Sequence, residues 1–416
     1  MAWWDRNATS RRKSDYVQSC GRDEAYSKDS CHSSQQEEMR VTTCACFEDY
    51  CNTSSDRKNT FSRRIGVGEG LLSDVFWLDL KWEQKGSVEE LPSSLVIKIL
   101  TQQRLATVLG QLTDSTQQFI RKAHNGECKF YEGLRELWED GAERLLIPRL
   151  FLAQPMQASA DDGFLLLQAV QGANVSHAMG CSMEQTLDVV DALGRFHAFC
   201  LLHPDFVQKF RSNEEDQFAL DWKKELIGFL KLAEDNWPQR FPADQMQIIR
   251  QAYTDYDIIT VQYRTHEQMQ LPPILAHHDI WTGNMLFRPQ PGQEAGQLPA
   301  GPLAAIIDWQ GVHQGSCGED LARILWCSAQ PQDRRQGLQQ ILAHYHQAVT
   351  ASAPGQLTPS LGQVHEAYAR FSRWAGTCCI AYTALNILKV KPLGPEEAVR
   401  PLERAQAALE DLLVLN

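Results

Sequence analysis

Hydrophobic and polar positions change rhythm along the chain. Residues 1 to 60 carry 9 Lys/Arg, 10 Asp/Glu and polar runs such as HSSQQEE with no hydrophobic period, so the segment to about residue 58 reads as disordered. From Phe61, FSRRIGVGEGLLSDVFWLDLKWEQ alternates apolar and polar positions around a glycine cluster, and SSLVIKIL is a short β-branched run; both predict strands of a small antiparallel sheet. A polar, helix-favouring stretch runs to about Trp138. LLIPRLFLAQP and DDGFLLLQAV then read as two more strands. Beyond QGANVSH the period becomes helical. Ser182 and Gln185 form a capping-box pair, and Val189, Leu193, Phe196 and Cys200 fall on one stripe of a helix. The same texture recurs over 214 to 268 and from about 333 onward. The expected fold is α+β: a β-rich lobe over 59–170, a connector near Gln168 to Gly172, and a larger, mostly helical lobe over 171–416.

Composition narrows the function. Of 416 residues, 43% are hydrophobic and 22% charged, which supports a sizeable core. Acidic residues outnumber basic ones 52 to 40, a net charge of −12, which argues against nucleic acid or an anionic membrane surface as partner. No apolar run is long enough to span a bilayer, and the opening MAWWDRNATSRRK lacks the apolar core of a secretory leader. A cytoplasmic location is therefore expected, with the seven cysteines after residue 60 reduced and the Asn-x-Ser/Thr triplets at Asn7, Asn52 and Asn174 unglycosylated. The other five cysteines lie within the first 51 residues. There TCACFEDYCNTSS is similar to the closing signature of extracellular three-finger modules, whose remainder is missing, and reads as a chance match.

The segment AHHDIWTGNMLFRP carries the most chemistry. Asp279 follows His277 by two and precedes Asn284 by five, a spacing that lets one loop aim a carboxylate at a hydroxyl and an amide at a metal. Apolar Met285 to Phe287, a Pro/Gly-rich stretch and Leu303 to Ile307 follow, so a hairpin would return Asp308 to the neighbourhood of Asn284. Oxygen ligands from Asn284 and Asp308 suit Mg²⁺ rather than zinc. Gly66, Gly68 and Gly70, with Ser73 as an extra donor, offer a loop whose backbone can approach phosphates. Lys98 lies inside an apolar strand, where an inward charge needs a partner. Glu127 is the candidate, ahead of Glu132. His197 lies on the apolar helix stripe and reads as core. His344, His346, Cys378 and Cys379 lack a second ligand pair at useful spacing.

This ordered set resembles the kinase-like enzymes related to aminoglycoside phosphotransferases and choline kinases, and within them the CHK-kinase-like, or ecdysteroid-kinase-like, group. The similarity runs from about Phe61 to about Ala351. It rests on GVGEGLLS, LPSSLVIK, Glu127-Cys-Lys-Phe130-Tyr131, Leu193 to Ala198, His277 to Asn284, Ile307-Asp308-Trp309-Gln310 and Asp320-Leu321-Ala322. His278 stands where that group usually has glycine, Trp309 where it has phenylalanine, and Gln168-Ala169-Val170 where it has Glu-Asp-Leu. The bulkier His278 either alters the loop backbone or offers the substrate a second polar contact.

The resemblance implies a bilobal protein-kinase-like fold and an ATP- and Mg²⁺-dependent transfer of a phosphoryl group to the alcohol of a small organic molecule. Asp279 would be catalytic, and Asn284 and Asp308 would hold the metal. Gly66, Gly68, Gly70, Ser73, Lys98 and Glu127, with Gln168 and Val170 of the connector, would bind the nucleotide. A protein kinase is a weaker alternative, since Asp320 follows Asp308 too closely for an activation segment and no Ala-Pro-Glu occurs. A catalytically silent nucleotide-binding or scaffold protein is another. Sterol, amine and xenobiotic alcohols all remain open as acceptors, and the sequence sets no oligomeric state.

Overall fold

The computed structural model describes residues 29–36 and 39–46, 60–66, 72–80, 92–101, 114–157, 163–211, 217–290, 292, 299 and 301–415. Contacts divide the chain into two compact units, Met1–Arg64 with Phe76–Leu95, and Ile65–Val75 with Val96–Asn416.

In the first unit, β1 (Asp29–Gln36) and β2 (Met39–Cys46) pair antiparallel. The rest of the 1–58 segment, expected to be disordered, lies outside the described residues. Strand β3 is Thr60–Ile65. Strands β4 (Ser73–Leu80) and β5 (Ser94–Leu100) each run through the division between the units. Phe76, Trp77, Leu78 and Leu95 are buried, and the Arg63 guanidinium lies over the Trp77 ring.

The second unit begins with helix α1 (Asp114–Glu136). Ile120, Ala123, Glu127, Phe130 and Leu134 are all buried at spacings of three and four, so the one carboxylate among them is carried inward by the apolar stripe. Strands β6 (Leu150–Gln154) and β7 (Phe164–Gln168) pair antiparallel with a bulge between Leu150 and Leu152. Within this unit the sheet order is β5-β7-β6. A two-residue strand β8 (Ala173–Asn174) follows.

Helix α2 (Met183–Leu202) starts at the capping box read from the sequence: Ser182 accepts from the Gln185 amide and Gln185 accepts from the Ser182 amide. Its stripe of Val189, Leu193, Phe196 and Cys200 is buried. Helices α3 (Pro204–Gln208), α4 (Gln217–Asn236), α5 (Ala243–Thr254) and α6 (Ile258–Gln268) follow. Then come β9 (Ile274–Ala276), β10 (Met285–Phe287), β11 (Leu303–Ile306) and β12 (His313–Gly315). The chain ends in α7 (Cys317–Cys327), α8 (Pro331–Ser352), α9 (Leu361–Leu385) and α10 (Pro395–Leu415). Helix α7 is buried along its whole length, and it comes close to α9 because Gly318 has no side chain: a Cβ there would stand 2.3 Å from the Ala367 carbonyl oxygen.

Ser182→Ala removes the Oγ that accepts from the Gln185 amide and leaves the Ser182 backbone amide as donor to Gln185 Oε1. We expect a loss of about 1 kcal/mol in urea unfolding, with the fold retained.

Candidate active site

The hairpin expected from the sequence is present. Strands β10 and β11 pair antiparallel with Met285 opposite Ile306, and the Ile307 amide donates to the Asn284 carbonyl at 3.0 Å. Asn284, just before β10, and Asp308, just after β11, therefore stand at the same open end of the strand pair. Strand β8 adds to the other side of β10, with Asn174 opposite Leu286. The Asn174 amide nitrogen reaches the carbonyl oxygens of Thr282, Gly283 and Met285, at 3.3, 2.7 and 3.1 Å, and ties down the end of the loop that presents Asp279.

Lys98 forms the centre of an ion-pair cluster. Its ammonium lies 2.7 Å from Glu127 Oε2 and also bonds Asp308 Oδ1. Burial opposes the lysine's charge, but the carboxylates of Asp308 and Glu127 outweigh it and hold the pKa above the usual lysine value. Burial pushes the Glu127 carboxyl upward, against the pull of Lys98. An ammonium has three donors, and these two carboxylates engage two of them.

Asp279 follows β9 and is 34% exposed at its side chain. Its Oδ1 accepts from Arg323 Nη2 at 2.9 Å. Asn284 Nδ2 donates to the Asp279 backbone carbonyl at 2.8 Å and lies 3.4 Å from Asp279 Oδ2.

Helix α7 holds this loop from below. Asp320, fully buried, accepts the amides of His277 at 2.8 Å and His278 at 3.0 Å, and His197 Nε2 lies 3.5 Å from it. His197 Nδ1 meets the Tyr345 hydroxyl at 2.8 Å, while its Nε2 makes no hydrogen bond; the residue is buried in the core, as expected from the sequence. His277 Nε2 bonds the Ile307 carbonyl at 3.0 Å, linking the loop to the hairpin. Trp309 is wholly buried, stacked on Phe130 at 4.4 Å and against Phe196 and His277 at 4.6 and 4.5 Å. It locks the Asp308 turn to α1, α2 and the loop.

His278 has φ +73°, and Asp308 has φ +68°. The left-handed backbone at 278 accounts for a glycine being usual there. The imidazole is bonded to Glu319 Oε1 at 2.6 Å and stacked on Trp374. The other Glu319 oxygen meets His313 Nε2 at 3.1 Å. Burial of these groups is offset by their mutual attraction, so the Glu319 carboxyl falls to about 2 and the His313 imidazole rises to about 9.

The residues expected to bind the nucleotide fare unevenly. Gly66 has φ +63° with open space around it, and Ser73 is half-buried at the start of β4; Gly68 and Gly70 lie outside the described residues. Gln168 ends β7, its side chain accepting the Arg149 amide at 3.2 Å. Val170 follows it, half-buried. Sequence reasoning did not find Arg323, Glu319, His313 or Asn174 as site residues. Helical spacing from the Asp320 motif would have pointed to Arg323 one turn later.

The DUF1679 family, described as "Uncharacterized oxidoreductase dhs-27", matches residues 51–411. The chain belongs to this family. It is 24% identical over 329 residues to the Caenorhabditis elegans protein "Uncharacterized oxidoreductase dhs-27", covering 76% of this chain and 38% of that protein. It is also 24% identical over 242 residues to "Uncharacterized kinase-like protein D1044.1" of the same organism, covering 56% of this chain and 58% of that one. The chain thus spans less than two thirds of the length of either relative. Among solved structures it is similar to a choline kinase from Cryptosporidium parvum Iowa II, at 13% identity and a TM-score of 0.49 over 88% of this chain and 92% of that one. It is also similar to a Plasmodium vivax ethanolamine kinase, at 9% identity and a TM-score of 0.42 over 85% and 82%, and to the gentamicin complex of APH(2")-IIa, at 18% and 0.41 over 85% and 94%. The α+β order expected from the sequence is the order observed: a strand with Lys98, a helix with Glu127, the Asp279 loop, the hairpin that ends at Asp308, and then helices. Among the described residues no helix is long and apolar enough to cross a membrane.

The bonds of Asn174 give a direct expectation. Its amide nitrogen is committed to three loop carbonyls, so mass spectrometry should find no glycan at Asn174. Asn174→Ala should speed amide exchange over residues 282–285 by roughly tenfold or more, as loop carbonyls lose their donor.

Proposed function

We propose that this DUF1679 member is an ATP- and Mg²⁺-dependent phosphotransferase acting on the hydroxyl of a small organic acceptor. The observation that carries the reading is the Lys98 ammonium bonded at once to Glu127 and Asp308, in a chain that also sets Asp279 and Asn284 on one loop at the end of the same hairpin. A scaffold has no need to gather these groups. A relative bears the name kinase-like.

The donor set fits the absent groups. Asp308 has a second carboxylate oxygen, and Asn284 uses its amide nitrogen on Asp279, so its oxygen is the atom that would ligate; an all-oxygen pair of this kind suits Mg²⁺ completed by water and phosphate. When bound, the ion would neutralise charge on the phosphates. Lys98 would give its third donor to a phosphate oxygen, held in place by Glu127. Gly66, Gly68, Gly70 and Ser73 would line the nucleotide loop, and Gln168 and Val170 would border it. Asp279, with one oxygen anchored by Arg323, would orient the acceptor hydroxyl and take its proton through the other. The transition state for phosphoryl transfer is loose, so such placement and charge stabilisation carry most of the catalysis.

The acceptor is a small-molecule alcohol rather than nucleic acid or a membrane component, in keeping with the acidic surplus of the chain. We place the protein in the cytoplasm. Cys128, Cys181, Cys200, Cys317, Cys327, Cys378 and Cys379 are all buried free thiols, which suits a reducing compartment.

Three variants test the reading in an ATP-consumption assay across steroid, amine and sugar alcohols. Asp279→Asn should keep nucleotide and Mg²⁺ binding but lose transfer by roughly 10² to 10⁴-fold. Asp308→Ala should abolish Mg²⁺-dependent turnover, measured below a melting transition that falls because Lys98 keeps only Glu127 as partner. Removal of residues 1–58 should leave ATP affinity unchanged. A wild-type chain with no transfer above background on any acceptor, and no change in Asp279→Asn, would establish the silent scaffold instead.

A further inference from the structure

Beside the groups used for transfer, three side chains converge that the proposed reaction leaves without a role. Nitrogen atoms of His278 and His313 and an oxygen of Glu319 all lie within 4.8 Å of one another. They come from three separate elements: the aspartate loop, β12 and the first turn of α7. The antiparallel pairing of β9 with β12 sets His313 opposite Ala276, and Glu319 reaches up from the helix between the two imidazoles.

Three features suggest a metal site. The first is a tautomer. His313 Nδ1 lies 3.0 Å from the Gly311 carbonyl oxygen, and a carbonyl can only accept, so Nδ1 carries the proton. In the neutral ring this leaves the Nε2 lone pair aimed at a Glu319 oxygen 3.1 Å away. Two lone pairs at that distance require a cation between them, either a proton or a metal ion. A ring nitrogen fixed in this way by a backbone carbonyl is also the usual outer support of a metal-bound histidine.

The second feature is burial. Glu319 is fully buried, and a carboxylate removed from water demands compensating charge. Gln262 Nε2, at 3.2 Å from Oε1 and 3.3 Å from His278 Nδ1, contributes a dipole but no charge, so the compensating charge at Glu319 is a proton on His313 or a metal cation in its place.

The third is backbone strain. A left-handed backbone at a non-glycine residue costs on the order of 1–2 kcal/mol, and such cost is retained where surrounding structure over-determines it, often for function. At φ +73° the strain aims the His278 imidazole at Glu319.

We propose that His278, His313 and Glu319 form a zinc-binding site of the two-histidine, one-carboxylate type. Two imidazoles and a carboxylate are a zinc donor set, whereas the all-oxygen pair of Asn284 and Asp308 is not. The His278 side chain is 35% exposed, which leaves a fourth position accessible to water. Bound zinc replaces the protons that otherwise bridge the cluster. It fastens the residue immediately before Asp279 to β12 and α7, so the site belongs to the framework of the loop and stands whether or not transfer occurs.

The test uses the full chain, stripped of metal and titrated with Zn²⁺ against a chromophoric chelator, then with Co²⁺ to read coordination. Wild type should take up zinc with a Kd at or below about 1 µM. Co²⁺ should give a four-coordinate visible band that includes a component without thiolate charge transfer, distinguishing these ligands from the cysteines. His278→Gly should weaken this uptake at least about tenfold and erase that component. Glycine adopts φ +73° freely, so the fold, checked by circular dichroism, survives the change. His313→Asn should act in the same direction. Absence of such uptake in wild type, or uptake of equal affinity in His278→Gly, would overturn the assignment.

Discussion

A single buried turn of helix governs the loop on which the chemistry depends. Glu319, Asp320 and Arg323 are all buried in α7, where three ionised side chains so close together survive only if each is paired. Their partners are consecutive residues of one loop. Asp320 takes the amides of His277 and His278, Glu319 takes the His278 imidazole, and Arg323 takes the Asp279 carboxylate. The loop cannot shift without leaving a buried charge unpaired, at a cost of several kcal/mol. Its shape is therefore imposed by electrostatics more than by its own sequence, and it holds against a left-handed backbone at His278.

The same logic runs through the Asp308 turn. Lys98 is tethered by Glu127 from the apolar stripe of α1, and it pairs with Asp308 across the turn. Trp309 fills the space behind it, against Phe130, Phe196 and His277. Where a smaller phenylalanine is usual in the resembling group, the indole adds a hydrogen bond from Nε1 to the Ile306 carbonyl at 3.1 Å. Packing thus fixes the backbone, and the ion pairs fix the side-chain ends.

Much of this was legible because it is local or because it repeats. Alternation revealed the strands around Phe76 and Val96, helical period revealed α2, and the Ser182 box marked its start. The hairpin that unites Asn284 with Asp308 followed from two short apolar runs about a proline- and glycine-rich turn. The Lys98–Glu127 pair followed from the physical need of a strand lysine for a partner. Arg323, His313, Glu319 and Asn174 were not legible in this way. Three of them act on residues distant in the chain: Asn174 on a loop 108 to 111 residues later, Glu319 on His278, 41 residues earlier, and Arg323 on a carboxylate 44 residues earlier, while His313 gains its place through its pairing with β9. No local period encodes such pairings; they arise when strand order brings β8 beside β10 and β9 beside β12.

Among the described residues, three that are not glycine have positive φ: Gln270, His278 and Asp308. Two of these adjoin or belong to the candidate site, on either side of the β10–β11 hairpin. Strain of this kind, on the order of 1–2 kcal/mol at each position, is less than the roughly 3–5 kcal/mol lost by unpairing a buried group such as Asp320 or Lys98. The balance explains why a histidine can occupy a glycine-type position without opening the loop. It also limits what can vary: side chains at 278 are exchangeable as long as α7 supplies the amides of 277 and 278 with their acceptor, whereas Asp320 is fixed by geometry that no neighbouring residue can replace.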